Sequence, residues 1–166
     1  MTSYSTDENG RKLKHVSDSL TECSHLIVPG DLNPYGRLFG GRLLQWIDET
    51  AGLVAKRHSE SVVVTAAIDN LRFREGATVS DAIFMRGYLT WTGRTSMEVR
   101  IDTFAEKVDG IRVLINTAYF VMVAVDSEGR PHEVPGLIVE SVNEQMEWES
   151  AQRRQVLRRE RKKEGY

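Results

Sequence analysis

An α+β fold, one long helix followed by a meandering antiparallel sheet, is what this chain of 166 residues predicts. Residues 41–58, GRLLQWIDETAGLVAKRH, place apolar side chains three and four apart, the period of a helix that buries one face. After Ser59 the pattern changes to that of strands, in four long stretches rich in β-branched residues. Short turn sequences, TWTG and KVDG, separate the later stretches, and Asp109-Gly110 is a strong hairpin signal.

In chain order, residues 1–18 are polar and without periodicity, and read as a flexible leader. The short apolar stretch from Thr21 to Val28 predicts a first strand. PGDLNPYG, residues 29–36, concentrates turn chemistry and predicts a loop. In the helix, Leu43, Leu44, Ile47, Ala51, Val54 and Ala55 form the stripe that faces a core. Asp48 falls just off its edge and is expected to be part-buried, whereas Glu49 projects to the opposite, solvated side. His58 ends the helix, where a protonated imidazole suits the negative end of the helix dipole. The strands are expected within 61–73, 79–91, 94–107 and 113–126, with Val113, Ile115, Thr117, Tyr119, Val121 and Val123 on one face of the last. SEGRPHEVPG closes the sheet, and residues 139–166 form a charged helical tail, leaving residues 19–138 as a single domain.

Composition narrows the function. The chain is 40% apolar and 28% charged, ordinary for a soluble protein. No apolar run approaches the roughly 20 residues that cross a bilayer, and the polar N-terminus is no signal peptide. The single cysteine, Cys23, cannot form an intramolecular disulfide, which fits the cytoplasm. Four scattered histidines give no zinc spacing, so neither metal nor cofactor is expected. Net charge is −2, yet residues 151–166 hold seven basic residues against two acidic ones, leaving −7 on the rest. An acidic body with a basic tail is a poor nucleic-acid module.

No phosphate loop, dinucleotide fingerprint, nucleophile elbow or HExxH motif is present. The segment from Asn33 to Asp48 remains. Gly40 and Gly41 open the helix, where backbone N–H groups lack intrahelical partners and could receive an oxyanion. Asp48, two turns along, could act as general base or nucleophile. On spacing alone, a tight helix entry and an ordinary edge carboxylate are the favoured account of the same residues.

NPYGRLFGGRLLQWIDETAG, then the strand with Thr65, then WTGRTSMEV, resembles the acyl-CoA thioesterases of the hotdog fold, and more closely the cytosolic acyl-CoA hydrolase branch. The resemblance runs from about Pro29 to Pro135. It implies a helix wrapped by a curved antiparallel sheet, and hydrolysis of acyl-CoA to a free acid and coenzyme A in the cytoplasm, within fatty acid metabolism. Asn33 and Asp48 match the family's active-site asparagine and aspartate, with a backbone N–H near Gly41 polarising the thioester carbonyl. Gly40, Thr65 and the GRTS segment, Gly93, Arg94, Thr95 and Ser96, are implied to bind substrate, the last four from a strand near the coenzyme A moiety. The resemblance also implies a homo-oligomer of hotdog dimers, up to a trimer of dimers. Where many relatives carry a histidine after the asparagine, this chain has Pro34 and Tyr35.

A thioester is already electrophilic and its thiolate leaves readily, so no metal or serine triad is required. Asp48 would activate water or attack directly, and Asn33 would orient the water or the carbonyl. Arg94 would pair with a coenzyme A phosphate or be a solvated charge. The arginines at 153, 154, 158 and 159 would attract the same phosphates or pack the tail, with Trp148 as its anchor. A non-catalytic acyl-CoA sensor is the alternative, and the retained Asn33 and Asp48 favour the enzyme.

Overall fold

The computed structural model describes residues 5–69 and 71–165. Helix α1, Gly40–Ser59, buries Leu43, Ile47, Ala51, Val54 and Ala55 as the stripe requires, and adds Trp46, Thr50 and His58 to its buried face. It lies against five strands: β3 (Thr21–Leu26), β4 (Val62–Asp69), β5 (Ala82–Thr92), β6 (Ser96–Glu106) and β7 (Arg112–Val125). They form one antiparallel sheet in the order β3-β5-β6-β7-β4. At β5 the helix packs tightly enough that a Cβ on Gly87 would stand 2.9 Å from Val54 and 2.4 Å from Ile101 of β6. Only glycine fits between those side chains. The KVDG turn carries Gly110 at φ 83°, a conformation Asp-Gly supplies cheaply.

Three β-bulges interrupt the sheet, at Ala66 in β4, Thr90 in β5 and Ile115 in β7. Each inserts one residue and so reverses which side of the sheet the following side chains face. The single face expected from Val113 to Val123 is therefore divided. Ile115 is buried in the core with α1, whereas Thr117 bonds Asp102 and Tyr119 lies under Arg154 on the opposite side.

That opposite side is covered by helix α2, Val142–Glu164, which starts at a Ser141/Glu144 capping box. Trp148 packs on Trp91 with ring centroids 6.2 Å apart, so it does anchor the tail. Glu98 of β6, fully buried, accepts from Thr90, Arg154 and Arg158. Asp69 of β4 pairs with Arg158 at 2.6 Å and with Arg161 at 3.0 Å.

The expected flexible leader is corrected over residues 5–18. Strand β1, Ser5–Thr6, pairs with β2, Lys12–His15, and β2 runs parallel to β8, Gly136–Ile138, before a 3-10 turn at Val16–Ser19. Charged side chains hold this segment, so it lacks the apolar period that marks buried strands. Lys14, 6% exposed, donates to the Arg57 carbonyl at 2.6 Å and to Glu60 at 3.2 Å. Arg11 donates to the carbonyls of Val134 and Gly93. The leader's residues 1–4 lie outside the described residues.

Candidate active site

The loop before α1 is built on its own backbone. Asn33 Oδ1 accepts from the N–H groups of Tyr35 at 3.0 Å and Arg37 at 3.2 Å, an Asx arrangement that tightens the turn. Its oxygen is thus occupied, and the amide Nδ2 is the end left to donate. Asp31, 8% exposed, accepts from Val28 N–H and pairs with Arg42 on the first turn of α1. The Asp31 carbonyl receives the N–H of Phe39, which fixes the loop to the helix entry. The first α1 bond runs from Leu43 N–H to the Phe39 carbonyl, so the N–H groups of Gly40 and Gly41 precede the intrahelical ladder. Asn33 and Gly40 line one cavity of about 340 Å³, while Gly41 opens onto a neighbouring hollow with Asp31 and Arg42.

Two turns along α1, Asp48 is part-buried and Glu49 exposed, as the stripe implies. Thr65 Oγ1 donates to Asp48 Oδ1 at 2.6 Å. The Ala66 bulge makes this possible: Thr65 faces α1 and Asp69, four residues on, faces α2. One carboxylate oxygen is held and the other is left for a reactant. Eight residues separate Gly40 from Asp48, a rise of about 12 Å along the helix. Asn33 and Asp48 of one chain therefore stand at different places.

Gly93, Arg94 and Thr95 occupy the turn between β5 and β6, and only Ser96 is on a strand, which corrects the expectation that all four lie on one. The turn is short because Gly93 N–H bonds the Ser96 carbonyl at 2.8 Å. The carbonyls of Arg94 and Thr95 accept from Val134 and Ala124, and that of Gly93 from Arg11. With its carbonyls committed inward, the turn holds the exposed Arg94 side chain outward. Arg154 and Arg158 of the tail are engaged by Glu98 and Asp69, so they are not available to a phosphate.

His58 is a second correction. It is buried, donates from Nε2 to the Pro135 carbonyl at 2.9 Å, and has no partner for Nδ1. Burial lowers its pKa from 6.5 to about 4, so it is neutral, not the expected imidazolium. Sequence reasoning missed Arg11, whose role rests on carbonyls of distant segments, and Asp31, which joins the Val28 N–H to the Arg42 side chain. A carboxylate two residues before Asn33 was the only local hint.

Residues 35–111 match the model of the Thioesterase superfamily. The chain is 36% identical to the acyl-CoA thioester hydrolase YkhA of Bacillus subtilis over 82% of this chain and 80% of that one. It is 32% identical to the cytosolic acyl coenzyme A thioester hydrolase of Mus musculus over 91% of this chain, but spans only 40% of that longer protein. Among solved structures, an apo-hexameric acyl-CoA thioesterase superposes with a TM-score of 0.86 at 40% identity, covering 90% of this chain and 96% of its own. An acyl-CoA hydrolase of Staphylococcus aureus, solved with butyryl coenzyme A and coenzyme A, gives 0.85 at 31%, covering 92% and 93%. Together these define a thioesterase on a hotdog scaffold. The chain belongs to the hotdog acyl-CoA thioesterase family. Alanine variants of the S. aureus enzyme have been solved at an asparagine, an aspartate and a threonine spaced 15 and 17 residues apart, the spacing of Asn33, Asp48 and Thr65 here.

Proposed function

We propose that this protein hydrolyses acyl-CoA to a free acid and coenzyme A in the cytoplasm, with Asp48 as the residue that delivers the nucleophile. The observation that carries the reading is the Thr65–Asp48 hydrogen bond, which fixes the carboxylate and leaves its second oxygen for a water or for the thioester carbon. Asn33, its oxygen taken up by the turn, donates from Nδ2 to the thioester oxygen, together with the first-turn N–H groups at Gly40 and Gly41. Charge that develops on that oxygen meets preset donors, and coenzyme A departs as a thiolate that takes up a proton; where Asp48 itself attacks, a water then cleaves the mixed anhydride, releasing the acid and restoring the carboxylate. Arg94, exposed on its braced turn, meets a coenzyme A phosphate, and Thr95 and Ser96 add hydrogen bonds.

The two halves of the site are far apart within one chain, which supports a site shared between subunits. Strand β4 is an edge of the sheet, and its Val62, Val64 and Ile68 are exposed. Pairing of β4 with a second copy covers that edge and brings Asn33 of one subunit towards Asp48 of the other. Such dimers are the units of a larger homo-oligomer.

Replacement of Asp48 by asparagine tests the mechanism. Asp48→Asn keeps the side-chain volume and a partner for Thr65 but removes the anion, and kcat falls at least ~10²-fold while coenzyme A binds nearly as before. Release of coenzyme A, followed by thiol trapping, measures the first, and calorimetric titration with coenzyme A the second. Wild-type turnover in this variant overturns the assignment, and an unmutated protein that binds coenzyme A but turns over no acyl-CoA favours the non-catalytic sensor.

A further inference from the structure

The cavity beside Asn33 has a wall that the catalytic reading does not use. Residues 71–77 cross from β4 towards β5 as a strap, and three bonds tie it down. The N–H of Arg74 donates to the Ile115 carbonyl at 3.0 Å, Asn116 Nδ2 donates to the Arg72 carbonyl at 2.8 Å, and Leu38 N–H donates to the Ala77 carbonyl at 2.8 Å. Two of these three depend on the β7 bulge. Ile115 is the inserted residue, so its carbonyl is released from the ladder, and Asn116 follows it into the interior. Asn116 is fully buried, and its Oδ1 has no partner, so the bond to Arg72 is its one side-chain link among the described residues. At Gly76 a Cβ would come within 2.9 Å of Arg37, so the strap lies directly on the Asn33 loop.

The strap brings Phe73 to the cavity. Its ring lies 3.5 Å from the point a Gly40 side chain would occupy, at the first residue of α1, and Phe73 is half exposed. One end of the cavity is polar, with Asn33 and the α1 N-terminus; Leu38, Leu43, Phe73, Ala77 and Ile115 form its apolar part, and the exposed, charged Arg37, Arg74 and Glu75 border it. At about 340 Å³ it sits near the lower end of the roughly 300–1,000 Å³ typical of ligand pockets. Leu43 and Ile115 belong to the packed core and cannot withdraw. Phe73, on the strap, is the large apolar lining residue outside that core, so it can be enlarged or removed without opening it.

We infer that this cavity receives the acyl chain and that Phe73 is the specificity-determining residue that limits its length, with Asn116 and the Ile115 carbonyl as the positioning groups that hold the strap. The inference rests on the reading of Asn33 and the first-turn amides as the carbonyl site, since the chain must begin where the thioester is held. It makes the protein selective for short and medium chains.

The test is kcat/KM of the full chain for saturated acyl-CoA substrates of two to sixteen carbons, in the wild type, Phe73→Ala and Phe73→Trp. Removing the ring lengthens the cavity, so the ratio of activity on a chain four carbons past the wild-type optimum to activity at that optimum rises ~10-fold in Phe73→Ala. The same ratio falls in Phe73→Trp, and the optimum moves to a shorter chain. Phe73→Leu, which keeps an apolar side chain on the strap, gives an intermediate profile and serves if Phe73→Ala does not fold. Profiles parallel to wild type in every folded variant overturn the inference while leaving the hydrolase reading intact. A wild type that cleaves no acyl-CoA overturns both, and a wild type with no chain-length limit up to sixteen carbons overturns the inference alone.

Discussion

At the scale of single residues, His58 shows how position in a helix and position in the fold make opposite demands. The last turn of α1 favours a cation, but the imidazole is enclosed, with Lys14 and Arg11 near enough to oppose a positive charge. Desolvation is the larger effect. The unfolded imidazole takes up its proton near pH 6.5 and the buried one only near 4, so the stability from keeping it neutral is complete above pH 6.5. It is lost as the pH falls through 4, about 3 kcal/mol in all. Urea midpoints at pH 7.5 and 5.0 should therefore separate more in the wild type than in His58→Gln, which cannot titrate. An equal separation in both proteins would place the acid sensitivity elsewhere. Asp48 was legible because a carboxylate at the edge of an apolar stripe must be part-buried. Its partner Thr65 was legible only through family resemblance, because no local pattern connects a helix to a strand seventeen residues on.

At the scale of elements, the tail illustrates what charge counting omits. The basic excess of residues 151–166 is real, but Arg154, Arg158 and Arg161 are matched to Glu98 and Asp69 on the sheet, and Arg154 also stacks on Tyr119 at 3.6 Å. Arg153, Arg159, Lys162 and Lys163 are exposed, and so is Arg161 despite its pairing with Asp69. Arg158→Leu leaves part of the fully buried Glu98 charge unmatched and should cost ~3 kcal/mol, read from the urea midpoint. Adding Glu98→Gln should restore much of the loss, because the carboxylate that needed the guanidinium is gone. If the double variant is no more stable than Arg158→Leu alone, α2 is held by Trp148 and its apolar contacts and not by this pairing. The bulges are the other lesson at this scale. Alternation read from sequence assumes an unbroken register, and one inserted residue at Ala66 or Ile115 reverses it.

At the scale of the molecule, the shared site makes a quantitative expectation. Asn33→Ala and Asp48→Ala are each inactive, and equal amounts are co-folded. In a mixed dimer, if each site takes its asparagine from one chain and its aspartate from the other, one site carries both lesions and one carries neither. Random pairing makes about half the dimers mixed, so activity returns to about a quarter of wild type. If both residues came from the same chain, every site would keep one lesion. No recovery after demonstrated subunit exchange would refute the shared site.

Family resemblance singled out Asn33 with the helical Asp48 as the chemistry to examine, whereas the pattern of the sequence alone determined the α+β order of elements, the buried stripe of α1 and the hairpin at Asp109-Gly110. These follow from interactions within a few residues of each other, where period and turn preference act. Tertiary structure alone decided the rest. The polar leader became a strand because Lys14 and Arg11 reach carbonyls on other elements, and the GRTS residues became a turn because β5 runs to Thr92 before the chain reverses. His58 lost its charge because the fold encloses it, and Phe73 met Gly40 because a bulge in β7 holds the strap across the cavity. Each of these outcomes depends on which distant groups are brought together, and hydrogen bonding and desolvation there outweigh local preference.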